Sequence, residues 1–183
     1  PGLCEQTPAV VFSYDQGEYG AGKRTGMSSG GVDTSWEYGP HGRMIAKTIE
    51  IDGHAFTSTW EYNSQGAITR MTYPDGESVY YHYDEFNNLI GMDSGLGDVY
   101  LDHVVYDQQG RRIQMEMGND AGGNPILKQT YTYYPWGDSL NGGYLASIAG
   151  QKIGGDFLQD LTYDYDANGN IKKVTDAVKQ AVF

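Results

Sequence analysis

Tyr106-Asp107-Gln108-Gln109-Gly110-Arg111 is the stretch of sequence that decides the fold, because degraded copies of it recur along nearly the whole chain. The key tyrosines of the copies are Tyr14, Tyr38, Tyr62, Tyr83, Tyr106, Tyr133 and Tyr165. They follow one another at intervals of 24, 24, 21, 23, 27 and 32 residues. A module of nearly constant length with occasional insertions is typical of a repeat protein, in which each unit buries its apolar face against its neighbours.

The composition favours a globular all-β protein. The 183 residues include 16 tyrosines and 26 glycines, and 39% of the chain is hydrophobic while 20% is charged. Tyrosine favours half-buried pleated surfaces, and glycine supplies tight turns. Alternation supports strands, since Trp36 and Tyr38 flank the polar Glu37. We expect the aromatic pairs of successive units to form ladders across the sheet.

The residue four positions after a key tyrosine is predicted to close a tight turn with positive φ, which glycine and asparagine tolerate best. The residues at this position are Gly42, Gly66, Asn87, Gly110, Gly137 and Gly169. The residue directly after the tyrosine is often aspartate, as in Asp107, whose carboxylate can accept backbone N–H bonds inside such a turn.

The chain then returns through apolar pairs spaced by three residues, such as Ile68 with Met71 and Ile171 with Val174. A flat strand cannot place both members on one face, so we infer a bend or bulge in the return strand, with a short helix as the alternative. Repeated hairpins of this kind predict a single antiparallel sheet that curves. Gly20 to Gly31 is expected to be an insert loop, and the inserts at Gly91 to Leu101, Gly118 to Pro125 and Asn141 to Gly155 are expected to be loops or longer hairpin tips.

The pattern Tyr-x-x-x-Gly-Arg followed by Leu/Ile-x-x-Ile/Val, repeated seven times, resembles the RHS or YD repeats. Supporting phrases lie at residues 70–76 and 161–171, and the match runs from about Val10 to the C-terminus. The resemblance implies a spiralling β-sheet that forms a hollow shell, as in bacterial RHS and toxin-complex proteins and in animal teneurins. It also implies a secreted or cell-surface bacterial protein in which the repeat is scaffold around a toxin or other cargo.

We expect one domain over residues 1–183, made of about seven units with an incomplete further unit at 181–183. Ala181-Val182-Phe183 aligns with the beginning of the first unit at Val10-Val11-Phe12, so the chain is expected to be an internal piece of a longer protein. The Arg-Tyr-Tyr-Asp-Pro-type core motif that precedes the toxin in toxin members of the family has no counterpart here.

The net charge of −12, without any basic run, excludes a nucleic-acid partner and disfavours an anionic membrane surface. The acidic residues keep a tyrosine-rich surface soluble, or they line a space for a basic cargo. No apolar run approaches the length of a membrane span. Cys4 is the only cysteine, so no internal disulfide is expected.

The strongest metal signal is a calcium-loop-like segment containing Asp164, Asp166 and Asn168. The bidentate glutamate that such a loop needs at its twelfth position is replaced by Thr175, and the segment is also the repeat's own turn. The histidines, His41, His54, His82 and His103, lie in different units without short ligand spacing, which disfavours zinc. We therefore predict no cofactor and no metal.

Catalytic signals are equally sparse. Acid pairs such as Asp84 with Glu85 and Asp98 with Asp102 could serve hydrolysis, but pairs arise by chance among 24 acidic residues. Trp136 departs from the turn pattern, so it either stacks on a sugar or a protein partner or packs over a neighbouring turn. The leading hypothesis is a non-enzymatic scaffold. The alternatives are a cell-surface glycan- or protein-binding module and, last, a carboxylate-dependent hydrolase. Unpaired strand edges predict edge-to-edge association of the isolated chain.

Overall fold

The computed structural model describes residues 8–139, 141–178 and 181–182, and these residues form an all-β fold. Sixteen strands follow one another without an intervening helix in this part of the chain. The strands are β1 (Val11–Tyr14), β2 (Arg24–Ser29), β3 (Val32–Tyr38), β4 (Met44–Ile51), β5 (His54–Tyr62), β6 (Ile68–Thr72), β7 (Ser78–Tyr83), β8 (Leu89–Ser94), β9 (Val99–Leu101), β10 (His103–Tyr106), β11 (Arg112–Met117), β12 (Leu127–Tyr133), β13 (Leu145–Lys152), β14 (Phe157–Tyr165), β15 (Ile171–Asp176) and β16 (Ala181–Val182). The predicted fold class is confirmed.

Within each sheet, strands that follow one another in sequence are neighbours. The strand order is β1 to β9 in one sheet and β10 to β16 in a second, where a single sheet was predicted, and the registered pairs are all antiparallel. The chain divides into two compact units, residues 1–80 and 81–183. The predicted single domain of about seven repeats stays a prediction. At the C-terminal end, β16 pairs with β15, and Phe183 lies outside the described residues.

A five-residue turn recurs at the hairpin ends. The amide of its first residue donates to the carbonyl of its fifth, and the amide of its fourth donates to the carbonyl of its first. Turns of this kind after key tyrosines span residues 39–43, 63–67, 84–88, 107–111 and 166–170. The fourth residues have the predicted positive φ, namely 70° at Gly42, 92° at Gly66, 64° at Asn87, 76° at Gly110 and 82° at Gly169.

Gly137 does not have the predicted positive φ, because the turn after Tyr133 is longer. Its first residue is Tyr134, whose amide donates to the carbonyl of Tyr144 at 2.8 Å. The amide of Gly143 donates back to Tyr134 at 3.1 Å, and Gly143 has a φ of 83°. The role assigned to Gly137 therefore belongs to Gly143, at the far end of an insertion within residues 134–144.

A β-bulge lies in the return strand, as the three-residue spacing predicts. Tyr62 pairs with Ile68 while Glu61 pairs with Arg70, which leaves Thr69 as the extra residue. Equivalent register shifts occur opposite Tyr14, Tyr38, Tyr106, Tyr133 and Tyr165. The extra residue explains why Ile68 and Met71 can share a face.

Three of the segments predicted as inserts contain strands, which contradicts the insert loop predicted for Gly20 to Gly31 and agrees with the hairpin alternative for the other two. Gly20 to Gly31 contains β2, Gly91 to Leu101 contains β9 and the end of β8, and Asn141 to Gly155 contains β13. Their many glycines lie mainly in the turns beside the strands, where positive φ is needed, for example at Gly30 and Gly154. Gly118 to Pro125 is a loop as predicted.

The two faces of the hairpins differ in burial. Trp36 and Tyr38 on one face of β3 are half-buried, whereas Glu37 on the other face is exposed. Across the hairpin, Trp36 pairs with Lys47 and Tyr38 with Met44, so the return strand separates the aromatic pairs that were expected to form ladders. The buried hydrophobic side chains among the described residues are Val79, Leu101 and Val104. No helix in this part of the chain could span a membrane.

Candidate functional site

The aspartate of the repeated motif organises its own turn. In Asp107, Oδ1 accepts the backbone N–H groups of Gln109 and Arg111 at 3.0 and 2.9 Å, and Oδ2 accepts the Arg111 Nε–H at 2.7 Å. Asp166 accepts the corresponding bonds from Asn168 and Asn170. The carboxylates that do this are those of Asp84, Asp107, Asp120 and Asp166.

These hydrogen bonds favour the charged carboxylate. Donation from the Asn170 side chain and then from the backbone lowers the pKa of Asp166, and the Asn88 side chain does the same for the pKa of Asp84. A general acid in a hydrolase would need a raised carboxyl pKa. The turn aspartates are therefore poorly suited to that role.

The key tyrosine connects its hairpin to the preceding one through its hydroxyl group. The Tyr62 hydroxyl donates to the Met44 carbonyl at 2.6 Å, and the Tyr106 hydroxyl donates to the Leu89 carbonyl at 2.8 Å. Further bonds of this kind join Tyr38 to Arg24, Tyr133 to Arg112 and Tyr165 to Leu145, at 2.8, 2.8 and 2.9 Å. In every case the acceptor is the first residue of the preceding return strand.

The tyrosine hydroxyl donates to a carbonyl that lies beyond the paired part of the two strands joining consecutive hairpins. Pairing between β4 and β5 ends at Ala46 with Thr59, two residues beyond Met44. The Tyr62 hydroxyl therefore replaces a ladder hydrogen bond where the two hairpins separate. Burial raises the pKa of Tyr62 and of Tyr106, so both phenols stay protonated donors at neutral pH.

The basic residue of the motif covers the next key tyrosine. The Arg111 guanidinium lies 4.3 Å from the centre of the Tyr133 ring, and the Arg43 guanidinium lies 5.7 Å from that of Tyr62. Lys23 takes the same position over Tyr38 at 5.2 Å. Such cation–π contacts contribute about 0.5–1 kcal/mol at exposed sites.

The motif is thus a connection between consecutive hairpins. Tyrosine bonds backwards to a free carbonyl, aspartate and glycine close the turn, and arginine stacks forwards on the next tyrosine. The sequence predicts the turn roles of aspartate and glycine but not the two contacts between units. The signal for the hydroxyl bond is that all seven key positions carry tyrosine and none carries phenylalanine.

The structure does not assemble the candidate metal residues into a site. The Asp166 carboxylate is occupied by the donors of its turn, and Asp164 lies in β14 opposite Lys173. The His82 imidazole is hydrogen-bonded to Asp93. Among the described residues, no three His, Cys, Asp or Glu side chains are placed to hold a metal ion. Cys4 lies outside the described residues.

Trp136 lies in the insertion after Tyr133 and is 65% exposed. The Arg111 guanidinium lies 5.2 Å from the centre of its ring. Gly143 also lies against the ring, because a Cβ on Gly143 would meet indole carbons at 2.6 and 2.8 Å. Trp136 therefore packs over the neighbouring turn and still exposes most of its surface.

Comparison with known proteins agrees with this geometry. Residues 62–99 match the RHS repeat family. The matched segment contains the turn at 84–88 and parts of the hairpins around it. No curated protein matches the chain.

The fold matches solved toxin-complex structures. A chain in the crystal structure of TcdB2-TccC3 without its hypervariable C-terminal region aligns with a TM-score of 0.72 and 18% identity, over 97% of this chain. TcdB2-TccC3 itself gives a TM-score of 0.71 and 19% identity over 92%. A mutant Photorhabdus luminescens Tc holotoxin pore gives 0.69 and 17% over 97%.

In each comparison the chain spans 9% of the matched chain's length. The repeated motif predicts hairpins with bulged return strands, and the described hairpins have them. The family match agrees with the same prediction. The resemblance to the RHS/YD-repeat family is confirmed: the chain carries an RHS repeat and has a fold found in these toxin-complex structures.

Proposed function

We propose that the chain is a non-enzymatic structural scaffold, a section of wall in a hollow β-shell that encloses or presents a toxin or another segment of a larger secreted or surface polypeptide. Its partners are the remainder of that RHS-type polypeptide and the enclosed segment. Similarity to a small part of long toxin-complex chains supports this proposal.

One observation carries the proposal: the side chains of the repeated motif are used to join hairpins. The Tyr106 hydroxyl bonds to Leu89, the Asp107 carboxylate closes its own turn, and Arg111 covers Tyr133. A wall needs such contacts at every unit, because stability in a repeat array is a sum over units and their interfaces.

Limited proteolysis of the longer polypeptide that carries this chain tests enclosure. We expect the enclosed segment to resist protease until the wall opens. Removing two inter-hairpin hydroxyls, with Tyr106→Phe and Tyr133→Phe together, is expected to speed cleavage of that segment. Tyr19→Phe, at an exposed tyrosine outside the key positions, is the matched control. Equal cleavage of that segment in the native and the urea-unfolded polypeptide would contradict enclosure.

A hydrolase screen tests the non-enzymatic part of the proposal. Asp84→Asn and Asp107→Asn keep an oxygen acceptor for the turn while removing the carboxylate. We expect no turnover of glycoside or ester substrates that depends on either residue. An activity that the folded wild-type chain has and a folded Asp→Asn variant lacks would support a carboxylate-dependent hydrolase instead.

A further inference from the structure

Tyr165 is covered by a tyrosine ring at the position where Tyr133 is covered by a guanidinium. Arg111, the last residue of its five-residue turn, lies 4.3 Å from the centre of the Tyr133 ring. In the turn that begins at Tyr134, the closing residue is Tyr144, because the Tyr134 amide donates to the Tyr144 carbonyl at 2.8 Å. Tyr144 therefore takes the place of the arginine, and a phenol ring replaces the cation.

The rings of Tyr144 and Tyr165 are in contact and are held there. Their centres are 5.0 Å apart, and their planes make an angle of 51°. The Tyr165 hydroxyl donates to the Leu145 carbonyl at 2.9 Å. The Tyr144 ring lies against Gly169, where an added Cβ would meet its hydroxyl oxygen at 2.6 Å. Tyr134 packs edge-on against Tyr165, with the ring centres 6.4 Å apart.

Two phenol rings in contact can be joined by oxidation. A one-electron oxidant removes one electron and one proton from each phenol, and the two phenoxyl radicals form a bond between the ring carbons beside their hydroxyl groups. The hydrogens on those two carbons then move to the oxygens, which restores both hydroxyls. The two electrons and two protons that are lost reduce one hydrogen peroxide to two waters. The joined rings are twisted against each other, as those of Tyr144 and Tyr165 already are.

The difference in exposure gives the oxidant a point of entry. Tyr144 is 41% exposed, whereas Tyr165 is half-buried. Electrons pass readily between rings in contact, so Tyr165 can be oxidised through Tyr144. A guanidinium has no comparable chemistry. The exchange of arginine for tyrosine at this turn therefore changes what the contact can do, and not only how strongly it holds.

We propose that Tyr144 and Tyr165 are a dityrosine cross-linking site, oxidised by hydrogen peroxide through a haem peroxidase, that joins the β12–β13 hairpin covalently to the β14–β15 hairpin. The site goes beyond the scaffold function, because it makes one connection of the wall responsive to oxidation. The link closes a loop between the two residues and restricts the unfolded chain, as other covalent cross-links do.

Oxidation of the chain by a haem peroxidase with limiting hydrogen peroxide tests the site. The monomer is isolated by size exclusion and digested with trypsin, which cuts between the two tyrosines after Lys152. We expect the peptides 129–152 and 153–172 to remain joined, with the link assigned to Tyr144 and Tyr165 by tandem mass spectrometry. Because the two rings are already positioned within one chain, the yield per chain should not depend on protein concentration.

Three variants separate this pair from other tyrosines. Tyr144→Phe and Tyr165→Phe each remove one phenol, and each is expected to abolish the joined peptides. Tyr163→Phe is the matched control, because Tyr163 lies on the same strand and the same tryptic peptide as Tyr165. It is expected to leave the joined peptides in place. Thermal unfolding establishes that each variant is folded.

Urea denaturation before and after oxidation measures the effect of the link on the fold. Oxidation is expected to raise the unfolding midpoint of the wild-type monomer and to leave that of Tyr144→Phe unchanged, because only the wild-type chain gains the link. The proposal is overturned if the oxidised monomer contains no link between Tyr144 and Tyr165, or if the urea-unfolded chain forms it in equal yield. It is also overturned if the joined peptides persist in folded Tyr144→Phe, or if the wild-type midpoint does not rise.

Discussion

The hydroxyl group distinguishes tyrosine from phenylalanine at every key position of the repeat. An aromatic ring alone would satisfy the half-buried face of the sheet, and the chain does contain five phenylalanines elsewhere. The hydroxyl reaches a carbonyl that no strand partner serves, as Tyr62 reaches Met44. An unpaired polar group in a half-buried position destabilises the folded state, so the choice of tyrosine has a clear physical reason.

Tyr62→Phe is expected to lower the free energy of unfolding by about 1–2 kcal/mol, because it removes a hydrogen bond and leaves the Met44 carbonyl without that donor. Urea denaturation followed by circular dichroism measures the change. Tyr19→Phe, in the same unit and 40% exposed, is expected to have almost no effect. Equal effects of the two substitutions would refute the role of the hydroxyl bond.

Two glycines in the compact unit of residues 1–80 allow the effect of backbone conformation on stability to be separated from the effect of packing. Gly66 and Gly76 have nearly the same φ, 92° and 93°, in the same kind of turn. A Cβ on Gly76 would meet nothing within 4 Å, whereas a Cβ on Gly66 would lie 2.7 Å from Cζ of Arg43. Gly76→Ala is expected to destabilise by about 1–2 kcal/mol from the backbone alone. Gly66→Ala should cost more, because it also displaces Arg43 from Tyr62.

A double-mutant cycle checks this explanation. In the background of Arg43→Ala, Gly66→Ala and Gly76→Ala are expected to have equal effects on the free energy of unfolding, because the obstructing guanidinium is gone. If Gly66→Ala remains the more damaging change in that background, the difference does not come from Arg43.

At the scale of the element, the five-residue turn makes the hairpins sensitive to acid. The pKa of the aspartates at 84, 107, 120 and 166 is lowered in the folded chain. A carboxylate whose pKa is lower in the folded state than in the unfolded state stabilises the fold at pH values above its unfolded-state pKa of about 3.9. This stabilisation is lost as the pH falls through the folded-state pKa. We expect the free energy of unfolding to decrease when the pH is lowered below about 4. Urea denaturation from pH 6 to pH 2.5 measures this change.

The chain contains a natural control for this titration. Asn63 opens the turn at 63–67 and accepts the Ala67 amide at 2.9 Å, so an amide oxygen can replace the carboxylate. Asp84→Asn combined with Asp166→Asn is therefore expected to retain the fold and to reduce the loss of stability in acid. An unchanged pH dependence in this variant would show that other groups cause the acid sensitivity.

The sequence predicts the turns better than it predicts the connections between them. Gly110 and Asn87 are identified because only a few residue types tolerate positive φ, and Ile68 with Met71 reveals the bulge because its spacing breaks the strand alternation. Gly137 was misassigned because an insertion moves the closing position to Gly143 without changing the local motif. The contact of Arg43 with Tyr62 could not be predicted, since it depends on how successive hairpins are placed.

At the scale of the whole molecule, the edge of β1 that pairs with no described strand is expected to promote association. β1 is the first strand of its sheet, and Val11 and Phe12 on it are 61% and 45% exposed. Exposed apolar edge strands pair with other chains. Light scattering after size exclusion is expected to show a mass that rises with concentration, and Val11→Lys is expected to lower it. A constant monomer mass for the wild-type chain over a wide concentration range would contradict this prediction.

The family resemblance was recognisable from sequence because the repeat appears seven times, although identity to the matched toxin-complex chains is only 17–19%. The positions that the fold constrains are few: a tyrosine, a turn glycine and an apolar pair in each unit. Trp136 is not one of these positions and lies in an insertion, so its contact with Arg111 could not be predicted from the motif.

The scarcity of buried apolar side chains has a thermal consequence. Aromatic residues such as Tyr14 and Phe56 are already 56% and 47% exposed in the folded chain, so unfolding hydrates little new apolar surface. The heat capacity of unfolding should therefore fall below the usual value of about 12–15 cal/mol/K per residue, which scanning calorimetry can measure. A small heat capacity flattens the curve of stability against temperature. Such a wall would weaken only gradually on cooling or warming.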